Sequence, residues 1–117
     1  MKYIGIVKKI VENNMWLNGR YDFWGGDLVA IVNQPEKFLR EPKEVHDISE
    51  LFNDLKNYEG VWKFNNLLFF KDANYGTFVY DLSEPNPSRY VEHLSVDGMS
   101  EERFKKIVLY LIRGKQR

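Results

Sequence analysis

His46 and His93 are the two side chains of this 117-residue chain that titrate near neutrality without a large shift. Each stands beside an acid in sequence, Asp47 and Glu92 respectively. Two imidazoles together with a lysine can run general acid and general base steps, and RNA is the substrate class that suits such a metal-independent pair. Yet His46 falls in a charged loop that should face water, and His93 falls on a strand next to Leu94 with no recognisable catalytic framework around it. The expectation is that the chain is not an enzyme, with a small RNA-acting enzyme built on His46 and His93 as the alternative.

Metal and cofactor chemistry have less support. There is no cysteine, no histidine pair at i, i+4 and no Asp-rich loop of calcium-binding spacing, so no metal site and no cofactor are expected. Gly25-Gly26 precedes a predicted strand rather than a helix, and no Lys-Ser or Lys-Thr follows, so a phosphate cradle is not indicated.

Recognition has better candidates than catalysis. Glu41, Glu44, Asp47, Glu50 and Asp54 run through a loop and into a helix start, an arrangement that would present carboxylates to a basic cleft on a partner. Trp16, Tyr21, Phe23 and Trp24 cluster around Arg20 and Asp22. Two readings of these aromatics stand: they pack onto the sheet, as large rings do in small domains, or some stay exposed as an interface anchor, since Trp, Tyr and Arg carry most binding hot spots. The core reading is preferred for the set, and Trp24 beside Gly25 is the best candidate for exposure. The partner-binding set is thus Trp16, Arg20, Tyr21, Trp24, Glu41, Glu44, Asp47, Glu50 and Asp54.

The elements that must position these groups follow from periodicity. Val61 to Leu82 is the organising stretch. Trp62, Phe64, Leu68 and Phe70 share one parity, and the other parity is also partly apolar, so both faces of the sheet are expected to be covered. The break Lys71-Asp72-Ala73-Asn74 separates this run from Tyr75–Leu82, giving an antiparallel hairpin; a tighter turn at Asn65-Asn66 would make three strands of it. Residues Tyr3 to Val11 are read as a strand on β-propensity, although Val7, Ile10 and Val11 also share a helical face. Asn18-Gly19 suggests a hairpin with Arg20 to Trp24 returning, and Asp27 to Val32 reads as a further buried strand.

From Asn33 to His46 the prolines and alternating charges mark a loop, with a short helical turn seating Phe38 and Leu39. Asp47 or Ser49 caps a helix in which Ile48, Leu51, Phe52, Leu55 and Tyr58 keep helical spacing and Gly60 is the stop. Burying those five side chains would contribute about 7 to 12 kcal/mol before entropy is subtracted. After the proline-broken loop 83–88, Arg89 to Val96 reads as a strand. Ser100 caps a last helix with the apolar stripe Phe104, Ile107, Val108, Leu111 and Ile112, which Leu109 and Tyr110 widen as if it were covered on more than one side.

The fold class expected is therefore α+β: one domain spanning residues 1–117, a mostly antiparallel sheet of five to six strands, and two amphipathic helices packed on it. At 14.0 kDa the size scaling gives roughly 6,700 Å² of exposed surface, about a third of the extended chain, enough for a core without staples. Met1-Lys2 opens an apolar run that Lys8 and Lys9 interrupt, so neither a signal peptide nor a membrane span is expected, and the location expected is cytoplasmic. Net charge is zero but polarised: 14 acids against 7 bases lie between Glu36 and Glu102, and the ends reverse the balance. Opposed poles favour oriented association over coating of nucleic acid, so direct nucleic-acid binding is not expected.

In general character the chain resembles the small immunity proteins that bacteria encode beside contact-dependent or polymorphic toxins: short, cysteine-free, rich in Asn and Tyr, with no motif of its own. The resemblance implies a non-enzymatic partner that neutralises a nuclease-type toxin domain by covering its active site. It carries over no functional residues. A structural or oligomerising domain, associating through a sheet edge or helix stripe, is the third reading.

Overall fold

The computed structural model describes residues 3–20, 35–73, 76–83 and 92–113, with residues 13–20, 35, 92 and 93 described by their backbone alone. Its organising element is the stretch the sequence singles out, divided into three strands. β2 (Gly60–Phe64) and β3 (Leu67–Asp72) form a hairpin closed by Asn65-Asn66, and β4 (Gly76–Asp81) pairs antiparallel with β3. The turn is tight because Asn65 accepts φ 58°, a left-handed conformation in which Asn is enriched. The tighter turn reassigns the faces. Phe64 lies opposite Leu67 and Trp62 opposite Phe69, so Trp62 and Phe64 share a face with Leu67 and Phe69, not with Leu68 and Phe70 as unbroken alternation predicts.

The remaining strands extend this meander at both edges. β5 (Glu92–Leu94) pairs antiparallel with β4, within the predicted strand. β1 (Lys43–Glu44), inside the predicted loop, pairs parallel with β2. The sheet is therefore mixed, four antiparallel strands with a two-residue parallel edge in the order β1-β2-β3-β4-β5, rather than an antiparallel sheet of five to six full strands. A parallel neighbour needs a crossover, and α2 (Ile48–Asn57) supplies it between β1 and β2.

The first element departs most from expectation. Residues Ile4–Arg20 form a helix, α1, not a strand followed by a hairpin, and Asn18-Gly19 lies within it. Val7, Ile10 and Val11 are fully buried against Val61, Leu68, Phe70, Phe78 and Tyr80, with Phe38 of the 3-10 helix Pro35–Phe38 filling the same layer. Their i, i+3, i+4 spacing fits one helix face, whereas a strand would have put Val7 and Ile10 on opposite sides of the sheet. Burial thus outweighed β-propensity. The predicted strand over 27–32 and the segment 20–24 beyond Arg20 lie outside the described residues.

On the other face α2 and α3 (Glu101–Ile112) cover Trp62, Leu67, Phe69, Val79 and Leu94. Phe104 sits between the layers, its ring centroid 5.1 Å from that of Phe52 and 6.3 Å from that of Phe69. With helices on both sides, β3 is buried at all six positions. The chain exposes 6735 Å² and has a radius of gyration of 13.2 Å, against about 13.4 Å for a folded chain of this length. Among the described residues the architecture is α+β, with α1 on one side of the sheet and α2 and α3 on the other, one helix more than the two expected from the sequence.

Candidate functional site

The carboxylates expected to face a partner divide into two groups. Glu41 Oε2 accepts the backbone N–H groups of Tyr3 at 3.0 Å and Ile4 at 2.6 Å, so it caps the positive end of α1 from a distant part of the chain. Asp54 is buried on α2; its Oδ2 accepts from the indole N–H of Trp62 at 3.1 Å and from the Lys43 ammonium at 2.7 Å. These two acids serve the fold and are not presented outward.

Asp47, Glu50 and Glu44 remain on the surface. Asp47 is the N-cap of α2 and accepts from the backbone N–H of Ser49 at 3.2 Å. Glu50 Oε2 lies 3.1 Å from Lys43 Nζ. The Asp54 hydrogen bond first, then that of Glu50, holds the Lys43 pKa above its ordinary value of 10.5. The Glu44 side chain is exposed and forms no hydrogen bond or ion pair with any described residue.

Next to Asp54 an open groove of about 510 Å³ runs between the segment after the 3-10 helix and the junction of α2 with β2. Arg40, Lys43, Tyr58, Gly60 and Trp62 help to line it. The Trp62 ring is buried and forms part of the floor. Gly60, at φ +147°, brings the chain round beneath Arg40: a Cβ on it would lie 3.6 Å from both Arg40 Nη1 and Trp62 Cη2. Arg40 is exposed, and its guanidinium has no hydrogen bond or ion pair among the described residues.

Tyr58 is the feature that sequence reasoning missed. Its spacing places it in the buried stripe of α2, yet it is 63% exposed. The helix ends at Asn57, and Tyr58 is the extended C-cap, at φ −136° and ψ 158°, so its side chain leaves the helical phase. Gly60 as the stop signal would leave Tyr58 in the last helical turn, so the helix's end one residue earlier, at Asn57, had no local signal. Tyr58 lines both the groove and a smaller neighbouring pocket of about 280 Å³ that reaches Lys71 and Asp97. Lys71 is only 4% exposed; its ammonium donates to Leu55 O at 2.5 Å and lies 3.2 Å from Asp97 Oδ1, clipping the end of α2 to β3.

The aromatic half of the predicted set is less visible. Trp16 and Arg20 lie in the C-terminal part of α1, where the backbone alone is described, and Tyr21 and Trp24 fall outside the described residues.

The two histidines are not neighbours. His46 is exposed just beyond β1 at one edge of the sheet, and His93 belongs to β5 at the other edge. Four strand spacings, roughly 19 Å, separate the edges to which the two backbones belong. Among the described residues no group of three or more His, Cys, Asp or Glu side chains is placed to hold a metal ion, and no helix is long and apolar enough to cross a membrane. No protein-family model, curated protein or solved structure matches the chain.

Proposed function

We propose that this chain is a non-enzymatic protein-binding module, an inhibitor of the bacterial immunity type acting in the cytoplasm, that covers the active site of a nuclease-type toxin domain. The observation that carries this reading is Tyr58, 63% exposed on the rim of a groove floored by Trp62 and flanked by Arg40, whose guanidinium has no hydrogen bond or ion pair among the described residues. Tyr, Trp and Arg are the residue types that dominate binding energy at interfaces, most of all where an aromatic stands on a rigid base. Here the base is rigid: Asp54 fixes Trp62 from α2, and Lys71 fixes the end of α2 from β3.

The exposed acids Glu44, Asp47 and Glu50 lie on the β1 strand and the start of α2, in the chain between Arg40 and Tyr58. Facing a basic cleft, they would steer association and fix its orientation more than add affinity. Co-purification of the full chain with the product of the adjacent reading frame tests this reading. A stable complex is expected, and failure to bind any neighbour-encoded protein would count decisively against it.

A further inference from the structure

The outer side of α3 carries a pattern that the core does not use. At 100° per residue, Arg103, Lys106, Tyr110 and Arg113 fall within one arc of the helix, with Glu102 and Leu109 beside them. Phe104, Val108 and Leu111 on the opposite side are buried, whereas Leu109 is 46% and Tyr110 52% exposed, so the predicted covering of this helix on a second side is not found. The charges on the arc are equally unclaimed. Lys105 pairs with Glu101 at 3.3 Å, but the side chains of Arg103, Lys106 and Arg113 are exposed and form no hydrogen bond or ion pair with any described residue.

We propose that this arc is a second docking surface, separate from the Tyr58 groove, and that its occupant is an acidic protein segment carrying an apolar side chain. Three cations without an ion pair among the described residues, against the one described carboxylate on the arc, that of Glu102, set the sign of the partner. Lys106, Leu109, Tyr110 and Arg113 stand at i, i+3, i+4 and i+7, the spacing by which one helix face engages a complementary surface. The exposed Leu109 and Tyr110 supply an apolar centre, and the cations form its rim.

The same features disfavour the other occupants. A second copy docked about a two-fold axis would set these cations against their own equivalents. A nucleic acid would leave Leu109 with nothing apolar to meet and would place phosphates against Glu102.

Fluorescence anisotropy on the full chain tests the proposal with three labelled probes: a Glu/Leu peptide patterned at helical spacing, the same peptide with Lys for Glu, and a single-stranded RNA. The Glu/Leu peptide alone is expected to bind. Lys106→Glu with Arg113→Glu should weaken it about tenfold or more, and Tyr110→Ala should weaken it with no change of charge. Tyr58→Ala should leave it unaltered, so this result stands or falls independently of the toxin complex. The positions are exposed, and an unchanged unfolding midpoint verifies each variant; Tyr110→Ala carries the test alone if the double variant does not fold. The proposal is overturned if the Glu/Leu peptide does not bind or binds the variants equally, if the Lys peptide or RNA binds the arc instead, or if the chain dimerises through Tyr110.

Discussion

Asp54 shows how one carboxylate can be spent on architecture. It accepts from a buried indole N–H and from a lysine at once; removing it leaves the indole N–H without its acceptor, while Lys43 keeps Glu50 and water. Asp54→Ala is expected to lose about 1 to 3 kcal/mol, read as a lower urea midpoint at an unchanged slope. Glu41→Ala should cost less, about 1 kcal/mol, because two backbone N–H groups at the start of α1 lose their cap but can turn to water. Glu101 has a pH signature. The Ser49 hydroxyl, then Lys105, holds its carboxyl below the ordinary 4.5, so the folded state releases this proton more readily than the unfolded chain. The resulting stabilisation is present above about pH 4.5 and is lost as pH falls through the folded value. Ser49→Ala should therefore flatten the acid limb of the stability profile while leaving the alkaline limb as it was, measured by urea unfolding across pH.

At the scale of elements, α1 is where local and long-range forces disagree. Its first half is rich in β-branched residues, and the choice between strand and helix rests on whether Val7 and Ile10 must reach the same surface. In the structure they do, against Phe70, Phe78 and Tyr80. Ile10→Ala is expected to cost about 2 to 5 kcal/mol through the cavity it leaves; a loss within experimental error would mean that α1 is not docked on the sheet. The later elements were more legible. The caps Asp47 and Ser100, the stripe of α3 and the strands from Gly60 to Asp81 all follow from local signals that agree with their burial. What local signals could not supply was the parallel pairing of Lys43–Glu44 with β2, which depends on where α2 returns the chain; the turn at Asn65-Asn66 stood only as the alternative in the sequence, and it is the one that forms and exchanges the faces. The same limit applied to the site. The acidic residues were visible in the sequence, but that Glu41 and Asp54 face inward depends on contacts 37 and 8 residues away along the chain.

For the molecule as a whole, helices on both faces hide the sheet, and the surfaces proposed for recognition lie at its margins: a groove at the β1–β2 edge, exposed acids beside it, and the cationic arc of α3. The central claim is that Tyr58 is exposed for binding and contributes little to folding. The direct measurement is a calorimetric titration of the full chain and of Tyr58→Ala against the neighbour-encoded toxin domain, with the unfolding midpoint of both proteins taken in parallel. The account predicts that the substitution weakens the complex by about 30-fold or more, as loss of a hot-spot residue does, while the midpoint stays within error. Equal affinities, or a loss of affinity that merely follows a loss of stability, would contradict it.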